Sequence, residues 1–329
     1  MVRYSRIAFR SLVRHYNTEI TFTPMMMSDS FVKSQKYRDV EYPIYNSLEE
    51  QAVNDPYVVA QFAATDPVEF AHSALLVYNR KANGIDLNCG CPQRWAWQEN
   101  IGCRTPSRTD WPKFIKNCVT FTRKLVPDKN FSISVKFRLQ SINDKKDEDA
   151  KPNIDFKKSM EIFQAAVDAG VDFITIHLRT RHERNVKPHY EIGRRIIEEI
   201  GVKQGVPVII NGGFKDQDDA IAEYKGTNCA GLMVAQAILS NPDFWDITRR
   251  AKNNDTPESF EQKKARRKEV ITKWFDIAIE TRLNIVVFQH HVIYMLEDPF
   301  LSGKERAEFA ALKCFSSMVD FVRAKGYLE

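Results

Sequence analysis

Polar and apolar positions follow two alternating rhythms through about residue 241 and a single rhythm after it. Short runs rich in β-branched and aromatic residues read as strands at 19–25 (EITFTPM), 57–63 (YVVAQFA), 84–88 (GIDLN), 131–139 (FSISVKFRL), 172–178 (DFITIHL), 207–212 (PVIING) and 230–235 (AGLMVA). Between them the apolar period lengthens to that of a helix. YSRIAFRSLVRHYN reads as the first helix. Asp66 is placed to cap, and Pro67 to open, a helix with Val68, Ala71, Leu75 and Tyr78 on one face. WPKFIKNCVTFTRKLV brings Phe114, Ile115, Cys118, Val119 and Leu125 together, and DFKKSMEIFQAAVDAG starts at Asp155 and stops at Gly170. YEIGRRIIEEIG and DQDDAIAEYKG supply two further helices.

Strands alternating with helices specify a parallel sheet, either open and doubly wound or closed as a (β/α)8 TIM barrel. Strand-end residues separate the two. Gln61, Asn88, Lys136, His177 and Asn211 each stand at or just past the C-terminal end of a different strand run. A barrel gathers these ends on one face, where active sites are built, whereas an open sheet spreads them along an edge. The pattern therefore predicts a barrel. Only seven strand runs are visible and a helix precedes the first, so the first barrel strand is expected to be missing from this chain. From about residue 242 the pattern is helical throughout, with a capping box at Ser302 and Glu305 and a stop at Gly326. The expected division is a barrel domain over 1–241 and a helical domain over 242–329.

Composition narrows the function classes. The net charge of the 329 residues is +5, mildly basic, which is compatible with nucleic acid without specifying it. No uncharged run approaches the roughly 18 residues needed to span a bilayer. The opening MVRYSRIAFR has no apolar signal segment, so neither a membrane nor a secretory route is expected. Six scattered cysteines read as reduced thiols, and the expected protein is cytoplasmic, with access to the nucleus, and monomeric.

The candidate chemistry begins at DLNCGCPQRW, residues 86–95. Cys89 and Cys91 supply only two of the four ligands that structural zinc needs, and the other cysteines are isolated, so no metal is expected. A disulfide across one intervening residue is strained. Two small packing residues in a strand-end turn remain the plain reading for both. For Cys91, three residues past Asn88 in a turn shaped by Gly90 and Pro92, a thiol facing the mouth of the barrel is the alternative, as nucleophile or as acid. In SVKFRL an inward Lys136 would bind an anion or an electron-rich ring, and otherwise is a solvated strand-end lysine. His177 precedes the basic loop RTRHER, whose Arg179, Arg181 and Arg184 read as phosphate contacts or as a solvated loop. Gly212 and Gly213, followed by a helix beginning near Gln236, suggest a phosphorylated cofactor held by the last two loops of the barrel.

Assembled, LNCGCP, VKFRL, IHLRT, INGGF and GLMVAQAIL, in this order and behind the opening MVRYSRIAFR, resemble the tRNA-dihydrouridine synthases, most of all their eukaryotic type-4 branch. The resemblance implies an FMN-dependent reductase that uses NADPH to convert a D-loop uridine of tRNA to 5,6-dihydrouridine. Hydride would pass from flavin N5 to uracil C6 and a proton from Cys91 to C5. By matching position, Met1, Gln61, Lys136, His177, Asn211, Gly213, Ala235 and Gln236 would line the FMN site, and Asn88, Arg138 and Arg179 would hold the substrate. The helical domain and the basic loops would hold tRNA by backbone and shape, with KKARRK (263–268) read either as a contributor or as a solvated helix face. Two stretches depart from the family pattern: NIGCRTPSRTDW follows the signature, and Gln236 stands where an arginine is usual. A barrel oxidoreductase acting on a small molecule and a tRNA-binding relative that has lost its flavin are the alternatives.

Overall fold

The computed structural model describes residues 4–42, 55–142, 154–184, 186–246 and 258–329. They form two compact units, one spanning Phe22–Val234 and the other combining Met1–Thr21 with Ala235–Glu329.

The Phe22–Val234 unit is built on a curled sheet. Its strands are β1 (Thr21–Phe22), β2 (Met26–Met27), β3 (Val58–Ala63), β4 (Gly84–Cys89), β5 (Ser132–Arg138), β6 (Phe173–His177), β7 (Val208–Asn211) and β8 (Gly231–Met233). The order is β1-β3-β4-β5-β6-β7-β8, with β2 also on β3. Every ladder from β2 to β8 is parallel. This is the barrel order, and each of the seven expected runs contains a strand; the first, 19–25, holds only β1, and β2 follows just past its end. Pro24 has no N–H to give a ladder, so the run 19–25 breaks there, while the Thr23 N–H still reaches the Val59 carbonyl at 3.0 Å. Every residue of β3 and β4 is buried, as parallel strands covered on both faces must be.

The helices begin and end where the sequence directs. The Asp66 carboxylate accepts the Val68 N–H at 2.7 Å ahead of the helix Pro67–Asn79, and Asp155 accepts from Lys158 at 2.9 Å ahead of Phe156–Asp168. Two buried faces differ from expectation. Pro67–Asn79 buries Phe70, Ala71, Ser73, Ala74 and Val77, while Val68 is exposed and Leu75 and Tyr78 are only partly covered. The stripe Phe70, Ala71, Ala74, Val77 has the tighter helical spacing and wins the core. Trp111–Leu125 buries Trp111, Phe114, Ile115, Cys118, Val119 and Thr122, but Leu125 is 37% exposed. The chain leaves the helix at Val126, which takes the buried place instead. YEIGRRIIEEIG is helical over Tyr190–Ile196 and then widens into a π turn, Ile197–Val202.

In the second unit the helix Ile7–His15 buries Ala8, Phe9, Arg10, Leu12 and Val13. Phe9 stacks on His291 at 4.4 Å and meets Trp274 edge-on at 6.3 Å. The tail helices are Phe260–Glu280, Ile285–Met295, Gly303–Ala311 and Phe315–Ala324. Capping boxes at Ser259/Gln262 and Ser302/Glu305 start the first and third of these. The compact units part at Val234/Ala235, and the first helix lies in the same unit as the tail. Its apolar stripe finds its aromatic partners there. Within KKARRK, Arg266 pairs with Asp243 at 2.8 Å, and Arg267 is buried against Ser240 O and Asn241. These two cations are engaged by partners of their own chain.

Candidate active site

Parallel register brings the polar strand ends together. It aligns Gln61 with Asp86, Asp86 with Ser134, Asn88 with Lys136, Arg138 with His177, and His177 with Asn211. Side chains two apart on one strand share a face, so Asp86 and Asn88, and Ser134, Lys136 and Arg138, point the same way. Their polar groups bond to one another. Gln61 Nε2 donates to Asp86 Oδ2 at 2.8 Å and Ser134 Oγ to Asp86 Oδ1 at 2.7 Å. Asn88 Nδ2 donates to Gln61 Oε1 at 2.8 Å. Further along, Lys136 Nζ donates to Asn211 Oδ1 at 2.7 Å, and Asn211 Nδ2 donates to Met233 O at 2.7 Å.

The Cys91 loop is tied on three sides. Asn88 Oδ1 accepts the N–H groups of Gly90 and Cys91 at 3.1 and 3.0 Å. Arg138 Nε donates to Gly90 O at 3.1 Å, and its Nη1 to Thr180 O at 2.9 Å. From the far side the 3₁₀ turn Gly102–Ser107 approaches, with the Cys103 N–H on Cys91 O at 3.1 Å. Gly102 has φ +64°, and a Cβ on it would stand 2.6 Å from Cys91 O, so only glycine allows the approach. This is where the departing segment NIGCRTPSRTDW acts: it closes the thiol's loop. Cys91 is half-buried and packs on Ala63, Ala96 and Ile101 with Met25 and Met27, whereas Cys89 is fully buried.

Burial sets the protonation states. It raises the Cys91 thiol above its ordinary value, opposed by a backbone hydrogen bond at Gln93 and by the charges of Arg138 and Lys136. The thiol is therefore an acid, not a thiolate, at neutral pH. Burial, and then the like charge of Arg138, brings Lys136 down to about 8. Burial also lifts Asp86 to about 6, opposed by the bonds from Ser134 and Gln61. His177 is driven far below the usual imidazole range by burial, then by Arg138, Lys136 and Arg179, so it is neutral. Its Nε2 lies 3.2 Å from Arg179 Nη1, whose Nε donates to Val186 O at 2.7 Å.

Gly212 and Gly213 leave β7 with φ of +104° and +86°, and a Cβ on Gly212 would stand 2.4 Å from the His177 ring. That bare corner lies at the strand end that carries Lys136, Asn211 and neutral His177. The donor set, one ammonium with two primary amides and an imidazole, fits the polar edge of a flavin ring. Gln61, Lys136, His177, Asn211 and Gly213 are thus gathered on adjacent strands, with Asn88, Arg138 and Arg179 beside them. Ala235 and Gln236 belong to the other unit, where Gln236 opens the short helix Gln236–Ser240. Met1 lies outside the described residues. Sequence reasoning passed over Asp86, Ser134 and Trp97. Trp97 carries the Arg181 guanidinium 3.5 Å from its ring centroid and Arg104 at 5.3 Å, above a cleft lined also by Cys103, Gln140 and Lys158. A polar residue at i and i+2 of an apolar strand was the available signal for Asp86. Among the described residues no group of three or more His, Cys, Asp or Glu is placed to hold a metal, and no helix is long and apolar enough to cross a membrane.

A parallel barrel-type sheet whose strand ends carry a cation, a buried amide–carboxylate belt and a protonated loop thiol has the makings of an enzyme of the (β/α) class. Residues 1–298 match the Dihydrouridine synthase (Dus) family, and the chain belongs to that family. It is 34% identical over 322 residues to a human protein named tRNA-dihydrouridine(20a/20b) synthase (NAD(P)+)-like, covering 98% of this chain and 88% of that one. A Schizosaccharomyces pombe protein named tRNA-dihydrouridine(20a/20b) synthase (NAD(P)+) is 29% identical over 98% of this chain and 85% of its own length. Among solved structures, the old yellow enzyme from Trypanosoma cruzi superposes with TM-score 0.50 at 8% identity, over 78% of this chain and 85% of that one. A 2-naphthoyl-CoA reductase superposes with TM-score 0.54 at 10% identity, over 78% of this chain and 48% of that one. These two likenesses bear on the fold alone.

Proposed function

We propose that this chain reduces uridine in the D-loop of tRNA to 5,6-dihydrouridine, at positions 20a and 20b, with FMN as its flavin and NADPH as reductant. The observation that carries the reading is the Cys91 thiol, kept protonated by burial in a loop tied to Asn88 and Arg138. Bound FMN would supply hydride chemistry that no side chain can. Gln61, Lys136, His177, Asn211 and Gly213 would hold its ring, Lys136 as the cation beside the electron-rich edge and His177 as a neutral partner. Cys91 would give its proton to C5 of the reduced uracil and recover it from solvent. Asn88 and Arg138 keep the thiol's loop in place through Gly90 and Cys91. The target base must leave its stack to reach such a mouth, as with other enzymes that act on bases. The relatives' names support the tRNA positions and the NAD(P)H dependence.

The test uses the full chain. Purified protein should show flavin absorbance that NADPH bleaches. With NADPH it should convert tRNA from a strain lacking the modification, and digestion and mass spectrometry should find dihydrouridine at 20a and 20b. Protein that neither retains nor takes up FMN, or that leaves the tRNA unmodified, would sink the reading.

A further inference from the structure

The bonds around Asp86 form a chain with a direction. At one end the backbone N–H groups of Gly90 and Cys91 can only donate, and both donate to Asn88 Oδ1, at 3.1 and 3.0 Å. That turns Asn88 Nδ2 toward Gln61, whose Oε1 accepts it at 2.8 Å. Gln61 is left with Nε2 to offer Asp86, and Oδ2 takes it at 2.8 Å. At the other end a carboxylate can only accept, and the Ser134 hydroxyl fills Asp86 Oδ1 at 2.7 Å. Two primary amides, each able to sit either way round, are held one way between a donor-only end and an acceptor-only end. Asp86 and Ser134 are fully buried, and Gln61 and Asn88 are at most 9% exposed, so water competes weakly for any of these groups.

We propose that Asp86 is a positioning residue for the Cys91 loop, acting through Gln61 and Asn88. This rests on the reading of Cys91 as the working thiol. Burying a carboxylate inside a parallel strand is costly, and both chain neighbours, Ile85 and Leu87, are apolar and fully buried. An apolar side chain would pack at position 86, but it would leave the buried Gln61 Nε2 without the acceptor that holds it. The Gln61 amide then shifts, which loosens the bond it takes from Asn88 Nδ2 and with it the grip of Asn88 Oδ1 on the Gly90 and Cys91 N–H groups. Asp86 reaches the loop through the two amides, and its effect is to anchor the far end of the chain.

The test reads the loop directly and needs neither cofactor nor RNA. Full-length protein is alkylated with iodoacetamide under native conditions, and modification is followed thiol by thiol by peptide mass spectrometry. Asp86→Leu should raise the Cys91 rate roughly fivefold, about the worth of one ordinary hydrogen bond. The buried thiols Cys89, Cys103 and Cys118 should stay unreacted in the same sample, because the change is local. Asp86→Asn can still accept from Gln61 while its own N–H2 turns to Ser134 Oγ, and should stay within about twofold of wild type. Gln61→Met cuts the chain in its middle with Asp86 and Ser134 left in place. It should raise the Cys91 rate as Asp86→Leu does, and it decides the matter if Asp86→Leu does not fold. An unchanged Cys91 rate, a rise shared by all four thiols, or an Asp86→Asn protein as reactive as Asp86→Leu would each overturn the proposal. Wild-type protein that makes no dihydrouridine yet gives the predicted pattern would instead count against the functional reading and leave the positioning role standing.

Discussion

Two imidazoles, a half-buried one in one compact unit and a fully buried one in the other, are shifted the same way for different reasons. His177 sits at the end of β6 beside Lys136, Arg138 and Arg179, and burial together with these cations keeps it neutral. His291 is fully buried, stacked at 4.4 Å on Phe9 and 4.8 Å from Trp274, with Nε2 on Tyr4 O at 3.2 Å. Burial brings it down to about 3. A perturbed titration therefore does not by itself mark a site. The surroundings separate the two: His177 has bare glycine backbone and a lysine for neighbours, and His291 has aromatic rings. One region leaves bare backbone and a cation beside its imidazole, and the other closes aromatic rings around it.

The comparison is open to attack from both sides. The largest effect is expected in the first region. Cys91→Ala should lower dihydrouridine formation by roughly 100- to 10,000-fold, the usual worth of a general acid, with the urea midpoint and tRNA binding unchanged. Mass spectrometry of treated tRNA, denaturation and filter binding check this together. In the second region Trp274→Ala should cost about 3–5 kcal/mol in urea unfolding, since Trp274 is fully buried against Phe9, Phe288 and His291.

A smaller effect distinguishes the roles by pH. The unfolded chain takes up a proton near pH 6.5, whereas folded His291 refuses it until about 3. Its folded value is depressed, so stability is lost as pH falls through that window and regained as pH rises, by up to about 1.4 kcal/mol per pH unit. His291→Phe should remove that part of the slope, measured by urea unfolding from pH 4 to 7. The smallest effect is Cys89→Ala. It deletes one buried sulfur and should cost about 1 kcal/mol, with dihydrouridine formation within about twofold of wild type. A large loss of activity there would mean that the two cysteines work together after all.

Much of the barrel was legible because of how parallel strands are buried. Covered on both faces, they read as short apolar runs whatever surrounds them, and each expected run contains a strand. Helix faces were less so. Val68 and Leu125 lost their expected places to Phe70 and Val126, because a helix with apolar residues on several sides is turned by its neighbours and not by its own pattern. The strand-end residues Gln61, Asn88, Lys136, His177 and Asn211 could be picked out because a polar side chain stands out at the close of an otherwise apolar run. Asp86 and Ser134 were missed because their meaning lies across the sheet: only register sets them opposite each other and beside Gln61. KKARRK shows a different limit. A run of charge carries no record of which members will be buried, and Arg266 and Arg267 serve Asp243 and Asn241.

By itself, then, the sequence determined the strand–helix alternation, the caps at Asp66, Asp155 and Ser302, and the thiol in its glycine–proline turn. These are local matters, governed by backbone geometry and side-chain periodicity over a few residues. The tertiary structure alone decided that the first helix belongs with the tail and which arginines are internal. It also decided how Cys91 is held, by way of Asn88, Gln61 and a buried carboxylate. Those depend on which groups meet across the sheet and on how much water is left between them, and neither is written in any one stretch of chain.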